Sequence, residues 1–178
     1  PTERENDMNS SEFKSGGIAP CLALCCLLAL LYTGIASETQ AKDIPMNDMQ
    51  NGLMRKKAHG DLDTVWKRLL DTLTAAKAPV FATVDHKANA QGAGLDMTGA
   101  RVVIFGNPAV GTALMQAAPE AALDLPLKIL VWESPDGVML SWSDPAWIAA
   151  RYGADPDLEV VKKMRGLLEK LTNAAAGM

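Results

Sequence analysis

Three places in this chain hold side chains whose types and spacing could do chemistry. Asp85-His86 closes an alternating run, Pro79 to His86; the block Gly106-Asn107-Pro108-Ala109-Val110-Gly111-Thr112 follows an apolar run; and Trp142 and Asp144 stand near a second run's end. Imidazole titrates near neutrality, so His86 is a candidate general acid/base. Asn107 could then serve as an electrophilic amide donor. Alternation sets His86 with Val80, Ala82 and Val84 at the rim of a core, with Asp85 on the opposite face, so the two are not an obvious dyad. The plainer reading is a structural histidine hydrogen-bonded to backbone or to a partner copy. In the glycine block, Gly106 and Gly111 are spaced as in a phosphate-binding loop, but Thr112-Ala113 stands where that loop needs Lys-Ser/Thr. Its backbone N–H groups could hold an anion. The plainer reading is a tight strand-to-helix turn, with Asn107 held extended by Pro108 and glycine placed where side chains would clash.

Other chemistries find little support. The two histidines, His59 and His86, would need two carboxylates to close a zinc site, so no metal is expected, nor any cofactor. Met46, Met49 and Met54 read as incidental methionines rather than soft-metal ligands. No G-x-S-x-G elbow occurs. Trp66, Trp132, Trp142 and Trp147 lie on amphipathic segments, where packing is the default and a Trp-lined cleft beside Glu133 or Asp144 the alternative. The chain of 178 residues carries 17 basic and 21 acidic residues, a net charge of -4. Nucleic acid is therefore not an expected partner.

Cys21, Cys25 and Cys26 all fall in or beside the uninterrupted apolar run CLALCCLLALL, residues 21–31, which Lys14 precedes and Gly34 and Ala36 follow. A short apolar core with a positive charge upstream and small residues downstream describes a secretory signal peptide, cleaved after Ala36 or Ala41. The alternative is an uncleaved N-terminal membrane anchor, for which Pro20 and the Tyr32-Thr33-Gly34 break are poor material. Residues 1–41 are thus expected to lie outside the fold, 42–51 to form a linker, and 52–178 to form one domain. That domain holds no cysteine and nearly balanced charge, which suits a periplasmic or secreted protein without disulfides, and no stable membrane insertion is expected after cleavage.

The elements that must position these residues can be read from periodicity. Gly52 to His59 suits an edge strand guarded by Lys56 and Lys57, though its alternation is weak. Asp61 or Asp63 caps a helix with an apolar stripe of Leu62, Val65, Trp66, Leu69, Leu70 and Leu73. Residues 80–86 read as a strand, 88–100 as a loop, and Arg101 to Phe105 as a strand buried on both faces. A short helix spans about 110–117, a hairpin turns over Ser134-Pro135-Asp136-Gly137, and Asp144-Pro145 opens another helix. A last helix, 157–173, carries Val161, Met164, Leu168 and Leu171 on one stripe. Hairpins mixed with helices predict an α+β fold of two layers: a mixed or antiparallel sheet of about five strands with helices on one face.

From about Gly52 to Gly153 the chain resembles the domain-of-unknown-function 302 family of bacteria and archaea. The resemblance rests on blocks in order: Asp85-His86, Ile104 to Pro108 followed by Gly111-Thr112, Leu123 to Lys128 leading into Leu130 to Glu133, then Ser141, Asp144-Pro145, Arg151 and Gly153. It departs from the family at Trp142-Ser143, where Tyr-Asn is usual, and at Tyr152, where many members have His. The resemblance implies a small exported α+β domain, a homodimer, without an established activity. The expected function is a binding or accessory module holding a small molecule near Asp85, His86, Gly106, Asn107, Trp142 and Asp144. The alternatives are an enzyme using His86 with Asn107, and a structural interaction module of the cell envelope.

Overall fold

A computed structural model describes residues 47–48 and 51–178. The leader expected over residues 1–41 lies outside them. Six strands form one sheet in the order β1-β2-β6-β5-β4-β3, every neighbouring pair antiparallel. The strands are β1 (Asn47–Asp48), β2 (Leu53–Lys57), β3 (Val80–Asp85), β4 (Ala100–Phe105), β5 (Leu127–Ser134) and β6 (Gly137–Ser143). The helices are α1 (Leu62–Ala75), α2 (His86–Gly92), α3 (Pro108–Ala117), α4 (Pro145–Arg151) and α5 (Glu159–Ala176), with a 3₁₀ turn at Pro119–Leu123. The fold is the expected two-layer α+β. Its sheet begins inside the segment read as a linker, where Asn47 and Asp48 pair with Met54 and Leu53.

Local chemistry accounts for most of these elements. The Asp61 side chain accepts from Thr64 N at 2.7 Å and starts α1, whose Val65, Leu69 and Leu73 are fully buried. Asp144 accepts from Ala146 N at 3.0 Å and, with Pro145 at the first helical position, starts α4. The β5–β6 hairpin turns at Ser134↔Gly137, where Gly137 has φ +117° and Ser134 Oγ donates to the Gly137 carbonyl at 2.8 Å.

Helices α1 and α5 cover one face of the sheet. Val103 and Phe105, Ile129 and Val131, and Val138 and Leu140 point into that layer and meet Val161, Met164, Leu168 and Leu171 of α5. The opposite face behaves differently. Val102, Ile104, Leu130 and Trp132 alternate away from the helices and are only half-buried. Strand β4 is therefore not buried on both faces as its continuous apolar run suggested; its helix-facing residues are sealed and the others are left partly open.

The largest departure lies after β3. That strand ends at Asp85, whose carboxylate accepts from Ala88 N at 2.9 Å and caps α2, so His86 is the first residue of a helix and is exposed. A bulge between Val80 and Ala82 also breaks the alternation on which its facing was read. Arg101 ties this corner down, with Nε 2.9 Å from Asp85 Oδ2 and an NH1 contact of 2.6 Å to Asp63 Oδ1. The Ala88 N–H and the Arg101 guanidinium together hold the Asp85 carboxyl below its ordinary value.

Gly52 is set by both backbone and space. Its φ is +68°, and a Cβ there would lie 2.2 Å from Trp147 Cγ. Gly52→Ala should lower unfolding stability by roughly 2–4 kcal/mol, combining left-handed strain with overpacking. Gly137→Ala, at φ +117° but with 3.7 Å to a flexible lysine end, meets no such clash and should cost less. Urea unfolding of the two variants checks the order.

Candidate functional site

The strand registers decide which candidate residues meet. Asp85 pairs with Arg101 and Val80 with Phe105, so His86 lies past one end of the β3–β4 pair and Asn107 past the other. Six residues from Arg101 to Asn107 at ~3.4 Å each put the two ends about 20 Å apart. Asp85 and His86 therefore do not share a site with Gly106 and Asn107, and within one copy His86 cannot act on an atom that Asn107 polarises. Trp142 and Asp144 follow the register Leu130↔Ser141 to the Leu127 end of the sheet, the end at which Asn107 sits. Helix α5 runs between them. Its Met164 and Leu167 line a cavity on the Asn107 side, while Arg165 and Gly166 line a groove on the Trp142 side.

The cavity on the Asn107 side has a volume of about 290 Å³. The chain reaches it from β4: Gly106 N donates to the Pro79 carbonyl at 3.0 Å, continuing the ladder by one bond, and the Asn107 carboxamide oxygen then caps α3 by accepting from Ala109 N at 2.9 Å. The glycine block is thus a strand-to-helix turn with a capping asparagine. Its first glycine is not enforced by a clash, since a Cβ at Gly106 would meet Pro126 Cβ at 3.6 Å and Phe81 Cε2 at 3.8 Å, ordinary contacts. Gly111, one turn into α3, opens on the cavity, and its nearest neighbour would be Met115 Cε at 3.9 Å.

The walls come from segments far apart in sequence. Phe81, displaced by the β3 bulge and 54% exposed, makes the lip; Val110 and Met115 of α3, Leu127 of β5, and Met164 and Leu167 of α5 make the apolar interior. Fourteen residues line it, and the polar side chains among them are Asn107, Thr112 and Lys163. Such a cavity can take an apolar body out of water while the rim contacts a polar end. Leu125 and Pro126 belong to a block that carries the family resemblance, but no local pattern links them to Phe81, Lys163 or Leu167 as one site.

One wall is the loop Asp124-Leu125-Pro126, with a cis Leu125–Pro126 bond, and it is held from outside. Tyr152 Oη donates to Asp124 Oδ2 at 2.9 Å, Arg151 lies 3.2 Å from the same oxygen, and Lys128 Nζ donates to the Asp124 and Pro126 carbonyls at 3.0 and 3.2 Å. Arg151 also lies over the Trp147 and Tyr152 rings, 5.2 Å from each centroid.

The groove across α5 is wider, about 740 Å³, and charged residues make up much of its lining. The Lys56 ammonium stands 5.8 Å from the Trp142 ring centroid and donates to Thr172 at 3.3 Å and to Asn173. Buried Asp144 pairs with Arg165 at 3.0 Å while capping α4. Every strong donor there has a partner within the fold, so Asp144 and Trp142 serve as a helix cap and a core ring. Among the described residues no three His, Cys, Asp or Glu side chains converge as metal ligands.

Burial and the Asp124 carboxylate raise the Tyr152 phenol above its ordinary value of 10.0. A raised acid of this kind stabilises the fold below pH 10 and loses that contribution as pH climbs through the folded-state value. Tyr152→Phe should therefore be less stable than the parent at pH 8, and the difference should shrink above about pH 10. Denaturant midpoints of both proteins across that range check it.

The chain has relatives of known sequence and structure. The family described as "Domain of unknown function DUF302" matches residues 54–174. Fluoride-specific ion channel FluC 1 of Brucella suis biovar 1 (strain 1330) is 35% identical over 132 residues, covering 72% of this chain and 52% of that protein. FluC 1 of Brucella abortus biovar 1 (strain 9-941) is also 35% identical, with 48% of its length covered. The chain thus spans about half the length of the curated relatives it matches. The crystal structure of an uncharacterized conserved DUF302 protein from Bacillus stearothermophilus superposes with a TM-score of 0.63 at 17% identity, covering 70% of this chain and 98% of that one. That likeness shows the same fold. With the family match spanning more than two thirds of its length, this chain belongs to the DUF302 family.

Proposed function

We propose that this protein is an exported, dimeric accessory domain that binds a small apolar ligand in the cavity beside Gly106 and Asn107. The observation that carries the reading is the cavity itself: about 290 Å³, apolar within, polar only at its rim, with one wall pinned by Tyr152, Arg151 and Lys128. A small, preformed apolar pocket at strand ends is where a ligand binds with little reorganisation. Export is supported by the apolar run at residues 21–31 and its flanks. An accessory role is supported by two findings. The matched relatives carry the name of a fluoride-specific ion channel at about twice the matched length, and among the described residues of this chain no helix is long and apolar enough to cross a membrane.

Dimerisation is supported by the sheet face opposite the helices. Five strands about 4.8 Å apart, each of five to eight residues, make a patch of roughly 20 by 20 Å, about 400 Å² per copy. That is about half of the roughly 800 Å² per partner of a standard interface, before the side chains' own relief is counted. Val102, Ile104, Leu130 and Trp132 supply it with apolar side chains, and two copies related by a two-fold axis would bury the same patch on each.

Two measurements test the two halves. With 1-octanol as the probe, titration should shift the amide resonances of Gly106 and Gly111. Gly111→Leu, which puts a side chain into the cavity, should weaken binding at least tenfold, whereas Gly111→Ala should keep it. Unshifted Gly106 and Gly111 resonances at saturating probe would sink the pocket reading. Light scattering should give twice the chain mass, and Val102→Lys should reduce it to the single-chain mass; a monomeric parent protein refutes the dimer.

A further inference from the structure

The cavity carries a charge of one sign. Of the residues lining it, Lys163 is the charged one, and none is Asp or Glu. Lys163 also differs from its neighbour: Lys162 is held by Glu159 at 3.1 Å, whereas Lys163 makes no ion pair among the described residues. Lys163 lines the cavity and is itself exposed, so its flexible four-carbon stem lets the ammonium follow a ligand's end group. Thr112, also at the rim, carries a hydroxyl that can donate, and the Asn107 carboxamide keeps its N–H donors free, because its oxygen is already spent on the Ala109 N–H. The rim thus offers donors and a cation, and the interior offers Phe81, Met115, Leu127 and Met164.

Resting on the pocket reading above, we infer that the natural ligand is an apolar monocarboxylic acid: a short acyl or aryl chain in the cavity, its carboxylate at Lys163 and Thr112. A neutral apolar molecule would leave the rim donors to water. A dianion would meet one cation where it needs two. A cationic ligand would meet Lys163 with repulsion.

The test compares octanoate with 1-octanol, which share a chain length and differ in end-group charge. Both are titrated by calorimetry at pH 7.5 into the full domain, its Lys163→Met variant and its Lys163→Arg variant. Lys163 is exposed, so neither substitution disturbs the core. Octanoate should bind at least threefold tighter than octanol. Lys163→Met should abolish that preference by weakening octanoate at least threefold relative to octanol in the same variant, and Lys163→Arg should retain it. A preference below threefold, or one that survives in Lys163→Met, overturns the acid assignment and leaves the pocket reading standing if octanol binds. Failure of both probes overturns the two together.

Discussion

One-sided burial is the constraint on which the rest of this fold depends. The sheet offers two apolar faces, and the chain supplies two long helices, both laid on the same one. Val161, Met164, Leu168 and Leu171 of α5 and Val65, Leu69 and Leu73 of α1 are buried there. Each such side chain contributes about 1.5–3 kcal/mol when removed from water, so this single layer dominates the favourable side of folding. The domain as described carries no cysteine, so no disulfide supplements that layer. Because α5 must lie across the sheet to fill it, the space on either side of α5 is what remains unfilled. The cavity on the Asn107 side and the groove on the Trp142 side follow from the same packing decision.

The two spaces differ because of what edges them. On the Trp142 side the chain places ionic groups and satisfies them internally: Asp144 with Arg165, Lys56 with Thr172 and Asn173. These contacts close the seam between β2, β6 and α5 as a clasp would. On the Asn107 side the edging is apolar, and the polar contacts beside it are made within the Asp124 loop. A concavity lined by methyl and aromatic groups forfeits dispersion contacts that closer packing would supply. A fold optimised for stability alone would close it.

Much of this was legible in sequence because single residues decide it locally. Asp144-Pro145 can hardly be anything but a helix start, Ser-Pro-Asp-Gly between two apolar runs forces a hairpin, and the α1 stripe leaves one face for the core. The region around His86 was misread for an equally local reason. Asp85 fits the alternation of β3, yet it is also an N-cap followed by Lys87, Ala88 and Ala90, and the capping bond to Ala88 N outweighs one more residue of edge strand. The exposed face of β4 escaped notice because an apolar run states that residues avoid water without saying what covers them. The cavity was half-found. Gly106 and Asn107 lie in a recognisable turn, but Phe81, Leu125, Pro126 and Lys163 join them only through tertiary packing, and no spacing rule connects residues 81 and 163.

Placement of the functional groups also bears on catalysis. His86 is exposed on the first turn of a short helix, and its neighbour Asp85 is committed to Arg101 and to the Ala88 N–H. A general base needs its orienting partner free to steady the imidazolium, and it needs a substrate pocket within reach. Here the carboxylate is already engaged and the cavity lies about 20 Å away along the sheet. The cavity, for its part, holds no titratable group besides an amine and a hydroxyl, and no base beside Thr112 to activate it as a nucleophile. An apolar chamber with donors at its rim suits holding a molecule in place. The binding proposed for the cavity rests on that apolar interior and polar rim rather than on the absence of any motif.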